Sequence, residues 1–172
     1  MPMYLATSDV PEKEKSLSSI LDPAIFDNKS VLVDESLGQN CDFLLMELCN
    51  IYKYSIFQFN DSGTHMRALL SRWGVLATVN SIYDSAYSNE EIIDDVYTQK
   101  QLGYHQMAKL NIYRSGTASV KDYYKYDLIV KIDNLMSGCS NEIDGTIRIF
   151  QRDTVYFNIK YKILLDKIVY YN

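Results

Sequence analysis

The sequence predicts an α+β domain in which an antiparallel sheet of about six strands carries helices over one face. Two long stretches alternate apolar and polar residues, Tyr123–Asp133 and Thr154–Leu165. This alternation indicates strands, because successive strand residues point to opposite faces of a sheet. Short polar segments such as Gln151–Asp153 separate neighbouring strand stretches closely enough for hairpins, and a hairpin pairs its strands antiparallel.

Helices are expected at three shorter segments with helical spacing: Cys41–Tyr52, Thr64–Trp73 and Ser88–Tyr97. Ser62 or Thr64 is a suitable cap for the second helix, and Gly74 suits the position just after its end. Glu90 and Glu91 fall in the first turn of the third helix, where the helix dipole favours negative charge.

Six segments rich in β-branched and aromatic residues are expected to form the strands: Tyr54–Phe59, Val75–Tyr83, Tyr104–Tyr113, Tyr123–Asp133, Thr146–Phe150 and Thr154–Leu165. Ser115 and Gly116 are typical hairpin residues and are expected to join the third strand to the fourth. The last two strands form a second hairpin across Gln151–Asp153.

The length of 172 residues and the 47% hydrophobic content fit one folded domain. Residues 1–30 hold prolines, serines and a charged cluster, and are expected to form a flexible polar leader before a single domain over residues 31–172. Three cysteines, an odd number without C-x-x-C spacing, indicate a reducing compartment. The charged N-terminal segment does not fit a signal peptide, so we expect a cytoplasmic protein.

Composition excludes several classes of partner and site. The net charge is −5 and the 17 Lys and Arg residues are scattered, which argues against nucleic acid. The sequence has no apolar run long enough to span a membrane. Phosphate-binding glycine loops and the G-x-S-x-G elbow are absent, and there are only two histidines. We therefore predict no cofactor and no metal site.

Three segments together resemble the chorismate pyruvate-lyase family and the related UTRA ligand-binding domains of transcription regulators. The first runs from Ile56 through the Asn-Asp-Ser-Gly turn to Leu70 and continues at Val75–Val79. The second is Gly103–Ser115, and the third is Tyr126–Leu135. The resemblance covers roughly residues 54–147 and implies a six-stranded antiparallel sheet flanked by helices.

The resemblance also implies a function, namely elimination of pyruvate from chorismate or binding of a small effector. The family's carboxylate-binding arginine lies where this chain has Met107–Leu110, and Lys109 does not supply the same two-pronged hydrogen bonding. The family's acid is a glutamate on the last strand, but no glutamate follows Glu142 here. The sequence therefore leaves open whether the protein is an enzyme.

Six residues are candidates for binding a small anionic ligand: Thr64, His65, Arg67, Lys109, Tyr126 and Arg148. The start of a helix at Thr64 presents backbone N–H groups that suit a carboxylate. Each candidate also has a plain structural interpretation, since Thr64 suits a helix cap and the charged side chains suit solvent-exposed positions.

Two functions fit these observations. The first is a small-molecule-binding or biosynthetic domain that acts on an anionic aromatic or acyl compound. The second is a non-enzymatic protein-interaction module that uses the sheet surface, rich in the chain's 15 tyrosines, and the C-terminal hairpin. This second function includes binding to another copy of the chain, as a homo-oligomer.

Overall fold

The computed structural model describes residues 17–20, 22–84, 86–135, 141–151, 154–165 and 167–171. Their strands are β1 Val31–Glu35, β2 Ile56–Gln58, β3 Val79–Ser81, β4 Ile92–Asp94, β5 Leu110–Tyr113, β6 Leu128–Asp133, β7 Gly145–Gln151, β8 Thr154–Ile163 and β9 Ile168–Tyr171. Their helices are α1 Leu17–Ile20, α2 Asp42–Tyr52, α3 Thr64–Arg72, α4 Val96–Gln101 and α5 Val120–Tyr123, with a short 3₁₀ helix at Pro23–Phe26.

All nine strands join one mixed sheet in the order β3-β2-β4-β5-β1-β6-β7-β8-β9. The first six strands in this order, β3, β2, β4, β5, β1 and β6, run parallel to one another. The strands from β6 to β9 pair antiparallel. The chain does combine helices with strands, but the predicted antiparallel sheet of about six strands is wrong, and so is the six-stranded sheet that the family resemblance implied.

The predicted hairpin through Ser115 and Gly116 fails because β1 inserts between its two strands. Val33 of β1 pairs in parallel with Ile112 on one side and with Val130 on the other. β1 is buried along its whole length, as is typical of a parallel strand covered on both faces. Ser115 and Gly116 do adopt positive φ, but the turn that they form leads into α5, which carries the chain across β1 to β6.

The predicted acidic helix Ser88–Tyr97 is also wrong. Ile92 and Ile93 are fully buried in strand β4, between β2 and β5. The helix begins only afterwards, with Asp95 as its N-cap residue, whose side chain accepts a hydrogen bond from the Thr98 N–H. The gain from burying two isoleucines inside the sheet therefore outweighs the local preference for a helix.

The helices cover both faces of the sheet rather than one. Helices α2 and α3 pack with Val31 and Val33 in the larger core, and we call this side the α2 face. Val96 of α4 packs on the opposite side with Leu32, and Tyr123 of α5 contacts the same cluster. We call this opposite side the α5 face.

Several local predictions are confirmed. Helices α2 and α3 form within the predicted segments. The predicted β7–β8 hairpin also forms, with β7 one residue longer at each end than predicted, and residues 152 and 153 of its turn lie outside the described residues. Gly74 follows α3 with a φ of +66°, as its C-terminal position requires. The predicted capping by Ser62 or Thr64 is wrong, because the N-cap residue is Gly63 and no side chain caps the helix.

The predicted leader lies partly outside the described residues, which begin at Leu17 and omit residue 21. Leu17 and Phe26, both within the predicted leader, are buried at 1% exposure in the core of the α2 face. None of the described helices has the length and apolar character needed to cross a membrane.

Candidate functional site

The carboxyl ends of the parallel strands form the edge of the sheet at which a ligand site is expected. Open sheets bind ligands there, at points where neighbouring strands send their connections to opposite faces. Strands β1 and β5 are such neighbours, since β1 leads to α2 and β5 leads to α5. Strands β2 and β4 form a second such pair, leading to α3 and α4.

Arg114, directly after β5, occupies this edge. Its Nη1 lies 2.8 Å from Glu35 Oε2 at the end of β1, and its Nη2 lies 2.7 Å from Asp42 Oδ1. Asp94, at the end of β4, is held by two hydrogen bonds, 2.7 Å from Nε and 2.8 Å from Nη2. Gln58 Nε2 donates to the same carboxylate at 2.8 Å.

This Arg114 cluster is closed rather than open to a ligand. The arginine side chain is only 16% exposed, and the three carboxylates are 1–10% exposed. Glu35 also accepts hydrogen bonds from the backbone N–H groups of Cys41 and Ser115, which ties the following loops to the strand end. No group of His, Cys, Asp and Glu among the described residues is arranged to hold a metal ion. The cluster therefore joins the strand ends and the following loops, and it leaves no open space for a ligand.

A groove open to solvent lies on the α5 face, between α5 and strands β6 and β7. Its volume is about 820 Å³, within the range of small-molecule sites. Its principal lining residues are Tyr123, Tyr124, Tyr126, Lys131, Arg148 and Phe150. We call it the α5 groove.

Two cations lie side by side in the α5 groove. Lys131 of β6 and Arg148 of β7 are directly paired across the antiparallel strands, on the same face. Both contact one carboxylate, Asp133, through Arg148 Nε at 3.0 Å and Lys131 Nζ at 3.7 Å. Asp133 is not itself a lining residue, whereas Asp127 is, and the Asp127 carboxylate accepts hydrogen bonds from the backbone N–H and hydroxyl of Ser30. The lining thus carries two cations and one carboxylate in a protein whose net charge is −5.

The aromatic side chains of the groove are held in place by polar contacts. The hydroxyl groups of Tyr126 and Tyr113 are 3.3 Å apart, and Lys100 Nζ lies 2.8 Å from the Tyr113 hydroxyl. The guanidinium of Arg148 lies 5.5 Å from the centre of the Phe150 ring. Burial and the hydrogen bond with Tyr113 raise the pKa of Tyr126, which therefore stays a neutral hydrogen-bonding group.

Asp34 lies behind the groove wall and is 4% exposed. The Tyr123 hydroxyl donates to its Oδ2, whereas Oδ1 is buried without a hydrogen-bond partner among the described residues. Burial raises the pKa of Asp34, and the Tyr123 hydrogen bond and the charge of Lys131 offset this only in part. The Asp34 carboxylate is thus a buried group next to the groove with only one of its oxygens hydrogen-bonded among the described residues.

The Asp34→Asn variant should gain stability relative to the wild type as the pH rises from 3 to 7. A raised pKa in the folded state means that unfolding releases a proton, so the wild type loses stability above the ordinary side-chain pKa of 3.8. The amide does not ionise and still accepts the Tyr123 hydrogen bond. Urea unfolding of both proteins across this pH range measures the effect. A difference in unfolding free energy that stays constant with pH would contradict it.

The structure divides the six predicted site residues among three separate places. Tyr126 and Arg148 line the α5 groove, whereas Thr64, His65 and Arg67 lie at the start of α3. Thr64 Oγ1 lies 2.8 Å from the hydroxyl of Ser62.

The other charged candidates have partners within the protein. The exposed His65 reaches Asp42 at 3.5 Å, and Arg67 binds the Val79 carbonyl and the Asp84 carboxylate. Lys109 precedes β5 at the opposite edge of the sheet, with its Nζ 5.0 Å from the centre of the Tyr54 ring.

Sequence reasoning missed Lys131 as a groove residue, and it also missed the Arg114 cluster. The alternation in Tyr123–Asp133 does place Lys131 on the polar face of a strand, but it does not show that Arg148 pairs beside it. The members of the Arg114 cluster are dispersed along the chain, so no local pattern connects them.

No protein-family model matches this sequence, and no curated protein matches it either.

Proposed function

We propose that the α5 groove binds a small aromatic anion. The observation that carries this proposal is the pairing of Lys131 with Arg148 on a sheet face walled by aromatic rings. Cations supply the charge that a carboxylate requires, and the rings supply faces against which an aromatic ligand can stack.

Arg148 is well prepared for this role. Its Nε and Nη2 bond to Asp133, which fixes the plane of the guanidinium, whereas Nη1 has no hydrogen-bond partner among the described residues. The same guanidinium packs over Phe150, so a ligand carboxylate at Nη1 would place its ring close to aromatic surface. Lys131, on the neighbouring strand, supplies a second positive charge.

The proposal rests on this groove geometry and not on the resemblance to chorismate lyases, because the sheet that the resemblance implied is wrong. We therefore propose binding, with an aromatic carboxylate as the ligand. No residue of the groove is assigned a chemical step.

Calorimetric titration with 4-hydroxybenzoate and chorismate tests the proposal, with neutral 4-hydroxybenzamide as the matched ligand. We expect the acids to bind and the amide to bind at least about tenfold more weakly, because a hydrogen bond to a charged group contributes about 1.5–3 kcal/mol. The Arg148→Met and Lys131→Met variants should each lose a similar factor.

Lys160→Met is the control, since Lys160 is an exposed lysine on the adjacent strand β8 outside the groove lining. Equal affinity for the acid and the amide would refute the proposal, and so would full affinity in Arg148→Met.

One observation favours the second function, a protein-interaction module. Val155 and Tyr156 are 52% and 56% exposed at the start of β8, and Leu165 is 85% exposed beyond its end. Analytical ultracentrifugation over a wide concentration range tests self-association through this hairpin. A dimer that dissociates in the Val155→Ser variant would favour this function, and a monomer throughout would remove the homo-oligomer.

A further inference from the structure

A second cavity lies on the α5 face, at the other end of the sheet from the α5 groove. It measures about 320 Å³ and is bordered mainly by Phe57, Phe59, Tyr83, Asp84, Tyr87 and Tyr104. We call it the aromatic pocket. The pocket is formed by the end of the sheet that contains β2 and β3, together with the loops that follow β3 and α4.

The rings of the aromatic pocket surround a common space at varied angles. Phe57 and Phe59, two residues apart on β2 and just beyond it, form a buried floor with ring centres 4.9 Å apart. Tyr87 stands edge-on to Phe57 at 5.5 Å, with an interplanar angle of 88°. Tyr104 is tilted against Phe59 at 5.4 Å, and Tyr83 is an exposed ring at the rim. Rings from separate segments of the chain thereby border one cavity.

A carboxylate borders this pocket, that of Asp84, and it forms an ion pair with Arg67 outside the lining. No lysine or arginine is among its lining residues, whereas Asp84 is. The Arg67 hydrogen bond and that of Ser81 lower the pKa of Asp84, so this carboxylate is ionised at neutral pH. Both hydrogen bonds go to Oδ2, and Oδ1 has no partner among the described residues.

Glu90 adds a second negative charge behind Tyr87. The Tyr87 hydroxyl donates to the Glu90 carbonyl at 3.1 Å, which places the two residues in direct contact. Glu90 is buried, at 5% exposure, and among the described residues Asn80 and Ser88 donate hydrogen bonds to its carboxylate. Within the described part of the chain no basic side chain neutralises it.

We propose that the aromatic pocket is a binding site for a small organic cation with a methylated ammonium head. Aromatic faces attract such cations through the ring quadrupole, and several rings at different angles surround the head better than one ring does. The Glu90 carboxylate behind Tyr87 adds long-range attraction. Methyl groups suit the apolar floor of Phe57 and Phe59, and the head needs no hydrogen-bond acceptor from the walls.

The test titrates the full chain with choline and tetramethylammonium, using isothermal calorimetry and shifts of the aromatic proton resonances. The matched neutral ligand is 3,3-dimethylbutanol, which has the shape of choline without its charge. We expect both cations to bind and the neutral compound to bind at least fivefold more weakly, the change that corresponds to about 1 kcal/mol.

The variants Tyr83→Leu and Tyr104→Leu should each weaken choline binding about fivefold, because each removes one ring face. Tyr83 is 73% exposed, so its replacement leaves the fold intact, which a thermal unfolding curve checks. Tyr97→Leu, a change at a 49% exposed tyrosine outside the pocket, is the control and should leave affinity unchanged. Equal binding of choline and dimethylbutanol, no binding of either cation, or full affinity in Tyr83→Leu and Tyr104→Leu would overturn the proposal.

Discussion

Replacing Arg114 with methionine should lower the free energy of unfolding by about 3–5 kcal/mol, the cost of removing one partner from a buried ion pair. The arginine holds three carboxylates within hydrogen-bonding distance, those of Glu35, Asp42 and Asp94. Without it, three negative charges would lie close together in a buried region with no cation inside the cluster. Methionine keeps much of the apolar volume, so the loss reports mainly on charge.

Urea unfolding at neutral pH measures this effect, with Arg72→Met as the control. Arg72 is exposed in the last turn of α3, where its charge contributes at most about 1 kcal/mol through the helix dipole. Adding Asp94→Asn to Arg114→Met should restore part of the lost stability, because it removes one of the repelling charges. An Arg114→Met protein as stable as the wild type would show that the cluster does not stabilise the strand ends.

Replacing Gly145 with alanine should lower the free energy of unfolding by about 1–3 kcal/mol, the usual cost of overpacking a tight site. A Cβ at this position would lie 2.7 Å from the Asp133 carbonyl oxygen and 2.8 Å from the Tyr161 hydroxyl. The Tyr161 hydroxyl is held in turn by Gln39, so it is not free to move aside. Relief therefore requires β7 to shift against β6.

Thermal and urea unfolding of Gly145→Ala measure the loss, with Thr146→Ser as the control at the next residue of β7. Thr146 is only half-buried and alternates to the other face, so the control should change stability by about 0.5 kcal/mol or less. A Gly145→Ala protein of wild-type stability would show that β7 adjusts without cost. The position also affects the proposed ligand groove, because β7 carries Arg148.

The candidate site could be predicted only in part. The sequence predicted Tyr126 and Arg148 as ligand-binding residues from the family resemblance and from charge, and both line the α5 groove. The alternation of residues identifies Lys131 only as a polar strand residue, because its pairing with Arg148 depends on the register of β6 against β7. Register is a property of two segments together, and a strand pattern alone does not specify it.

The aromatic pocket shows the same limit. Phe57 and Phe59 were assigned to a strand from their composition, whereas Tyr87 and Tyr104 reach them from two loops far along the chain. An abundance of tyrosine is visible in the sequence, but a pocket requires rings from separate segments to meet, and that is decided by how the loops fold back.

The sequence by itself determined the features that depend on neighbouring residues: the apolar helix α2, the helix α3 ended by Gly74, and the hairpin of β7 and β8. Only the tertiary structure decided that β1 lies between β5 and β6 and that it runs parallel to both of them. The physical reason is that alternation records which residues of a strand share a face. It contains no information on the partner strand or its direction, which the packing of the whole sheet selects.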